Sequence, residues 1–199
     1  LSGKFNVENA LAAATCARGL GVDPAVIAEG LAAVPGVRGR FELVQAGQPF
    51  TVVVDYAHTP DGLAQVLGAA RELCQGQLIL VFGAGGDRDH DKRPLMGRVA
   101  ADLADLAIVT SDNPRSEDPE AIIEQIVAGA AGRTLTVEVD RAAAISAALA
   151  IAQDGDVVVI AGKGHEQGQE AAGRTVPFDD AEVARDALLR IQASRRAYE

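Results

Sequence analysis

Tryptophan is absent from the 199 residues, methionine occurs once, and aromatics amount to only 4%. A core built from this chain must therefore be Ala, Val, Leu and Ile, the composition of helices packed on a parallel sheet. Cysteine is scarce too. Cys16 and Cys74 stand far apart with no C-x-x-C pair, so two reduced thiols are expected, with neither a disulfide nor a zinc site. The histidines His58, His90 and His165 lack the spacing of metal ligands. Lys and Arg are outnumbered 18 to 28 by Asp and Glu, a net charge of -10. That balance argues against nucleic acid as a partner, because phosphate binding needs a basic face. Any anionic ligand must be held by a few placed Arg and Lys. No apolar run is long enough to span a membrane, and no signal-peptide pattern opens the chain. A cytoplasmic monomer is expected. No Walker A sequence occurs, so the chain carries no P-loop of its own.

Hydrophobic residues reach 48%, ample for a core. The opening is abrupt: Leu1 to Asn9 leads straight into an Ala-rich helix over Ala10 to Arg18, which reads as the cut end of a longer protein. Gly19 and Gly21 stop that helix, Asp23-Pro24 starts another through Leu31, and Pro35-Gly36 ends it. Two short helices bury too little surface to fold as a unit. Residues 1–43 are therefore expected to be the tail of a preceding domain, and residues 44–199 a domain of their own.

From Phe50 onward strands and helices alternate. Strands are predicted over Thr51 to Val54, Leu78 to Phe82, Leu106 to Thr110, Thr134 to Val139 and Val157 to Ala161. The intervening helices run over Asp61 to Leu73, Pro94 to Leu103, Pro119 to Ala128 and Ala142 to Ala152. A last helix over Asp180 to Ile191 precedes a basic tail expected to fray. Strand, loop and helix at this spacing predict an α/β fold: a Rossmann-like, mostly parallel sheet with helices on both faces, preceded by the short helical tail. All loops that follow the strands then share one edge, where ligands of open α/β sheets bind.

Those loops carry Asp55, His58, Arg88, Asp112, Asn113, Arg115, Gly162 and Glu166. In Asp112-Asn-Pro-Arg115, Asp and Asn are expected to bond their own backbone, and Pro114 keeps Asn113 out of helical space. The loop is stiff, so Arg115 is aimed, and its guanidinium suits a carboxylate or phosphate. Beside it, Glu166 suits an ammonium group, and together the two suit a zwitterionic amino acid. In Gly83-Ala-Gly-Gly-Asp-Arg88, an Arg occupies the third glycine position of a dinucleotide fingerprint and no helix starts at once, which argues against nicotinamide binding. The glycines are expected to let backbone approach a ligand, with Arg88 supplying charge. The rest of the charged run from Asp87 to Arg93 is expected to be a solvated loop.

Phe5-Asn-Val-Glu-Asn-Ala-Leu-Ala-Ala13, Gly39-Arg-Phe-Glu42, Asp55-Tyr-Ala-His-Thr-Pro60, Gly85-Gly-Asp-Arg-Asp-His-Asp-Lys-Arg-Pro94, Asp112-Asn-Pro-Arg115 and Gly162-Lys-Gly-His-Glu166, taken in order, closely resemble the Mur ligases, ATP-dependent amino-acid ligases of peptidoglycan precursor synthesis. The likeness covers essentially the whole chain. It is strongest to the branch that adds meso-diaminopimelate to UDP-N-acetylmuramoyl-L-alanyl-D-glutamate, where the Asp-Asn-Pro-Arg form of the loop goes with diaminopimelate. The resemblance implies that Arg88, Asp112, Asn113, Pro114, Arg115, Gly162 and Glu166 hold the amino acid. It implies that Asn6, Asn9, Arg40, Asp55, Tyr56 and His58 lie on the nucleotide side, with Arg40 and Asp55 in catalytic roles. ATP, Mg2+ and the UDP-MurNAc-dipeptide are the implied co-substrates and metal. The family's P-loop, magnesium ligands and sugar-binding domain match nothing here, so the chain is expected to be inactive by itself. A related amide ligase, such as a folate-glutamate ligase, and a non-catalytic binding module are the alternatives.

Overall fold

The computed structural model describes residues 4–34 and 36–196. The helix stop at Pro35 and the extreme ends of the chain, Leu1 to Gly3 and 197–199, lie outside the described residues. Helices α1 (Lys4–Gly19) and α2 (Pro24–Ala33) come first, followed by strands β1 (Glu42–Leu43) and β2 (Thr51–Asp55). Then come α3 (Pro60–Leu73), β3 (Leu78–Phe82), α4 (Lys92–Leu103), β4 (Leu106–Val109), α5 (Pro119–Ala128), β5 (Thr136–Val137), α6 (Arg141–Ile151) and β6 (Val157–Ala161). A hairpin of β7 (Gly168–Ala171) and β8 (Arg174–Pro177) precedes α7 (Asp180–Arg196).

Helix starts follow from the sequence. The side chains of Asp23, Thr59, Asp118 and Asp140 each accept a backbone N–H from the first turn of α2, α3, α5 and α6, and Pro opens the first three of these helices. The sheet order is β1-β2-β6-β3-β4-β5, with β1 antiparallel and every other pairing parallel. Alternate residues of each strand serve opposite faces. Val53, Val159, Leu80 and Val109 pack with Leu63, Met96 and Ile126 under α3, α4 and α5. Val52, Val158, Val81 and Ile108 pack with Ile145, Leu149 and Leu188 under α6 and α7. Each such fully buried side chain contributes about 1.5–3 kcal/mol, which fixes the register, since a slip of one residue would exchange the two faces.

Because β6 inserts between β2 and β3, the winding reverses there. The loops after β2, β6, β3 and β4 stand side by side along the carboxyl edge, which is the place for a ligand in an open α/β sheet.

Several elements differ from expectation. The predicted strand over Thr134 to Val139 shrinks to Thr136–Val137, an exposed edge that is kept short. Helix α7 continues to Arg196 through the stretch expected to fray. The β7–β8 hairpin was not predicted, since its residues are intermediate or exposed and carry no apolar alternation. Its one signal is Ala172-Gly173, both at positive φ, as a tight two-residue hairpin turn requires. The linker before β1 is also tied to the sheet: Phe41 is buried, its N–H donates to Asp55 Oδ2 at 2.7 Å, and Glu42 pairs opposite Val54.

Candidate active site

A cavity of about 350 Å³ opens on the carboxyl edge, walled by residues from the loops after β2, β3, β4 and β6. Eight residues expected to form the site line it: Tyr56 and His58 after β2, Arg88 after β3, Asp112, Asn113 and Arg115 after β4, and Gly162 and Glu166 after β6. Gly85, Asp89 and Lys92 complete the wall. Pro114, Arg40, Asp55, Asn6 and Asn9 do not line it.

Contact between loops, more than contact within them, holds the wall in shape. The Asn113 side chain does not close a turn on its own backbone, as its sequence context suggests. Its Nδ2 donates to Glu166 Oε2 at 2.7 Å, and its Oδ1 accepts from Lys163 Nζ at 2.8 Å and from Glu170 N at 2.9 Å. Lys163 is fully buried, and its ammonium also lies 3.1 Å from Glu166 Oε2. The amide orientation of Asn113 is thereby fixed by donors on one side and an acceptor on the other. Gly86 N donates to Asn113 O at 2.8 Å, and a Cβ on Gly86 would sit 1.9 Å from Pro114 O. Gly86 thus serves contact between neighbouring loops, whereas Gly85 does face the cavity.

Arg115 adopts φ 54°, and its backbone is held by the hairpin: its N–H donates to Glu170 O at 3.0 Å, and its own carbonyl accepts from Ala172 N at 2.7 Å. Its Nη1 donates to Gly86 O at 2.7 Å, and its Nε lies 3.3 Å from Glu170 Oε2. Gln169 Nε2, also on the hairpin, donates to Ser111 Oγ and Asp112 O. No pattern in the sequence points to this hairpin as part of the site.

The charged run from Asp87 to Arg93 is only partly the solvated loop expected of it. Arg93 is fully buried and grips Glu117 with both terminal nitrogens at 2.8 Å, while its Nη2 also donates to Gly85 O at 3.2 Å. The Arg93 guanidinium holds the Glu117 carboxyl down at about 2. Lys92 turns inward and donates to His58 O at 2.9 Å, and burial lowers its ammonium pKa against the pull of Asp112 and Asp89. Under the cavity floor, fully buried Arg141 forms two 2.7 Å bonds to the equally buried Asp180 and donates to Ala161 O at 3.0 Å. Burial works against the Arg141 charge, but Asp180, with Asp112 and Glu166 behind it, outweighs this and raises its pKa. Asp112 therefore hangs between that cation and Lys92.

Beside the cavity, Arg40 lies 4.7 Å over the Tyr56 ring, which is flanked by His58 and His165 with ring centroids at 4.6 and 5.3 Å. Asp55 anchors this corner. Its two oxygens accept from Phe41 N and Ala57 N at 2.7 and 2.8 Å, and burial raises its pKa in spite of those bonds.

A family model described as Mur ligase, glutamate ligase domain, matches residues 39–164, the segment that carries most of this wall. The chain belongs to the Mur ligase family. It is 53% identical, over an alignment of 199 residues, to the UDP-N-acetylmuramoyl-L-alanyl-D-glutamate--2,6-diaminopimelate ligase of Streptomyces avermitilis, covering 96% of this chain and 39% of that protein. The ligase of the same name from Gloeobacter violaceus is 55% identical over 190 residues, covering 94% and 39%. A solved structure of a ligase of that name superposes with a TM-score of 0.75 at 44% identity, covering 98% of this chain and 40% of that one. This Mur ligase chain thus spans 39% of the length of these curated relatives. Its mostly parallel sheet with helices on both faces is the fold of that solved relative. Among the described residues, no helix is long and apolar enough to cross a membrane.

Proposed function

We propose that this chain is the amino-acid-binding portion of an ATP-dependent ligase that adds meso-diaminopimelate to UDP-N-acetylmuramoyl-L-alanyl-D-glutamate. The observation that carries the reading is the distribution of charge around the cavity, where Arg88 and Arg115 face a space shared with Asp112, Asn113 and Glu166. A diamino diacid needs both kinds of partner at separated points. Arg115 would take the distal carboxylate, while Glu166, with Asp112, would take an ammonium group. L-Lysine lacks the distal carboxylate and could not use Arg115, a loss worth about 1–3 kcal/mol for a charge-assisted pair.

In the proposed reaction a substrate carboxylate oxygen attacks the γ-phosphorus of ATP and ADP leaves. The diaminopimelate amine then attacks the acyl carbon, phosphate leaves, and the nitrogen loses a proton. The chain's part is to bind and orient the amine. Its nucleotide-side residues would be Arg40, Tyr56 and His58, with Asp55 fixing the linker that carries Arg40 and with Asn6 and Asn9 on α1. An arginine so placed stabilises charge during phosphoryl transfer. The described residues include no group of three His, Cys, Asp or Glu fit to hold Mg2+. Helices α1 and α2, with Leu11 on α1 and Leu20 in the turn after it exposed, would be the end of the preceding ATP-binding domain.

The test is an NMR titration of this chain with meso-diaminopimelate and, separately, L-lysine, following the Arg and Gly signals of the four loops. Selective shifts with diaminopimelate are expected, and Glu166→Gln should weaken them by removing the countercharge for the ammonium. Equal shifts with both amino acids would sink the role given to Arg115.

A further inference from the structure

The guanidinium of Arg115 is not waiting empty. Its Nη1 is turned toward the β3 loop and bonded to Gly86 O, and its Nε meets the carboxylate of Glu170 at 3.3 Å. No described residue accepts a hydrogen bond from Nη2. The edge that offers two parallel N–H donors to a carboxylate is therefore the Nε and Nη2 edge, and the Glu170 carboxylate stands beside it at ion-pair distance from Nε, without an in-line hydrogen bond. Glu170 is nearly half exposed, whereas Arg115 is mostly buried. The carboxylate can swing into water while the guanidinium stays fixed by its backbone and by Gly86.

We infer that Glu170 is an internal stand-in for the ligand's distal carboxylate: it neutralises Arg115 in the empty site and must be displaced before that carboxylate can bind bidentately. This rests on the reading that Arg115 receives the distal carboxylate of diaminopimelate. It has a consequence for selectivity. A ligand without the distal carboxylate, such as lysine, leaves Glu170 in place and so avoids stranding the Arg115 charge. Glu170 thereby weakens binding of the diacid and tolerates the monoacid, narrowing the gap between them. Its backbone bonds to Asn113 and Arg115 do not depend on the side chain, so substitutions there keep the hairpin attached.

The experiment compares the complete ligase carrying this chain as wild type, Glu170→Gln, Glu170→Ala and Arg115→Ala, by steady-state KM for meso-diaminopimelate and for L-lysine. Both Glu170 variants should lower the KM for diaminopimelate by about two- to fivefold, the range commanded by a partly exposed ion pair. The KM for lysine should not fall, so the selectivity ratio should widen. An unchanged or raised KM for diaminopimelate in both variants, or an equal fall for both amino acids, overturns the inference. Arg115→Ala separates the two levels. If it leaves the diaminopimelate KM unchanged, the underlying reading of Arg115 fails. If it raises that KM steeply while the Glu170 variants do not lower it, only the stand-in role fails.

Discussion

Lys163 and Glu166, three residues apart on the β6 loop, face each other across 3.1 Å, and the same ammonium donates to Asn113 at 2.8 Å. One buried cation thus sets two polar groups of the cavity wall, Asn113 and Glu166. Glu166 is a third exposed, and loss of Lys163 would leave its carboxylate held by the Asn113 amide bond without the ammonium beside it.

Lys163→Met should therefore raise the KM for diaminopimelate by about tenfold or more, in line with the 1–3 kcal/mol carried by charge-assisted bonds, while the KM for ATP changes little. Lys163→Arg, which keeps a cation but not its compact shape, should recover only part of the loss. Equal effects on the two Michaelis constants, with a lowered melting temperature, would make Lys163 a purely structural residue.

Gly162 has φ 119°, and a Cβ there would lie 2.5 Å from Asp112 Oδ2. Gly162→Ala should strain the loop by about 1–3 kcal/mol and push Asp112 off the cavity wall. Thermal melting checks the first effect and a diaminopimelate titration the second; an unaltered titration would mean that Asp112 has room to retreat without leaving the site.

The five parallel strands, the fourth of them shorter than expected, their loops and eight of the cavity residues were legible because strand, loop and helix alternate at regular spacing and the polar residues fall just beyond each strand. What stayed hidden depends on contacts between distant loops. Lys163 reads as a loop lysine between glycines, and it is buried because the β4 loop, fifty residues earlier, lies over it. Arg93 sits in a run that looks solvated, and its partner Glu117 comes from the next strand–helix unit. Glu170 lies on a hairpin with no apolar alternation, so neither the hairpin nor its grip on Arg115 could be read from pattern. Asp55 was legible as a conspicuous carboxylate; its bond to Ala57 N is local, but its bond to Phe41 N depends on how the linker folds back.

The Arg141–Asp180 pair has no exposed side-chain surface on either partner. Asp180→Ala would leave the buried Arg141 charge without its ion-pair partner, which costs about 3–5 kcal/mol. For a chain of this size the melting temperature should fall by about 6–20 °C. Replacing both residues by apolar side chains of similar volume should restore most of the loss, and calorimetry on the single and double variants checks both statements.

Glu117 gives the chain a defined response to acid. Its carboxyl is held at about 2, against an ordinary 4.5, chiefly by the Arg93 hydrogen bonds. A carboxyl depressed in the folded state contributes stability that is complete above 4.5 and is lost as the pH falls toward 2. Melting temperature measured from pH 6 down to pH 2 should therefore fall across that window in the wild type. Glu117→Gln keeps an acceptor for Arg93 but has no proton to take up. It should be less stable than the wild type at pH 6, since a neutral partner leaves a buried cation less well matched, and its melting temperature should fall less steeply below pH 4.5. Parallel curves for the two proteins would show that acid acts through other carboxylates, and that Arg93 is held by Gln125 and the Gly85 carbonyl without help from the Glu117 charge.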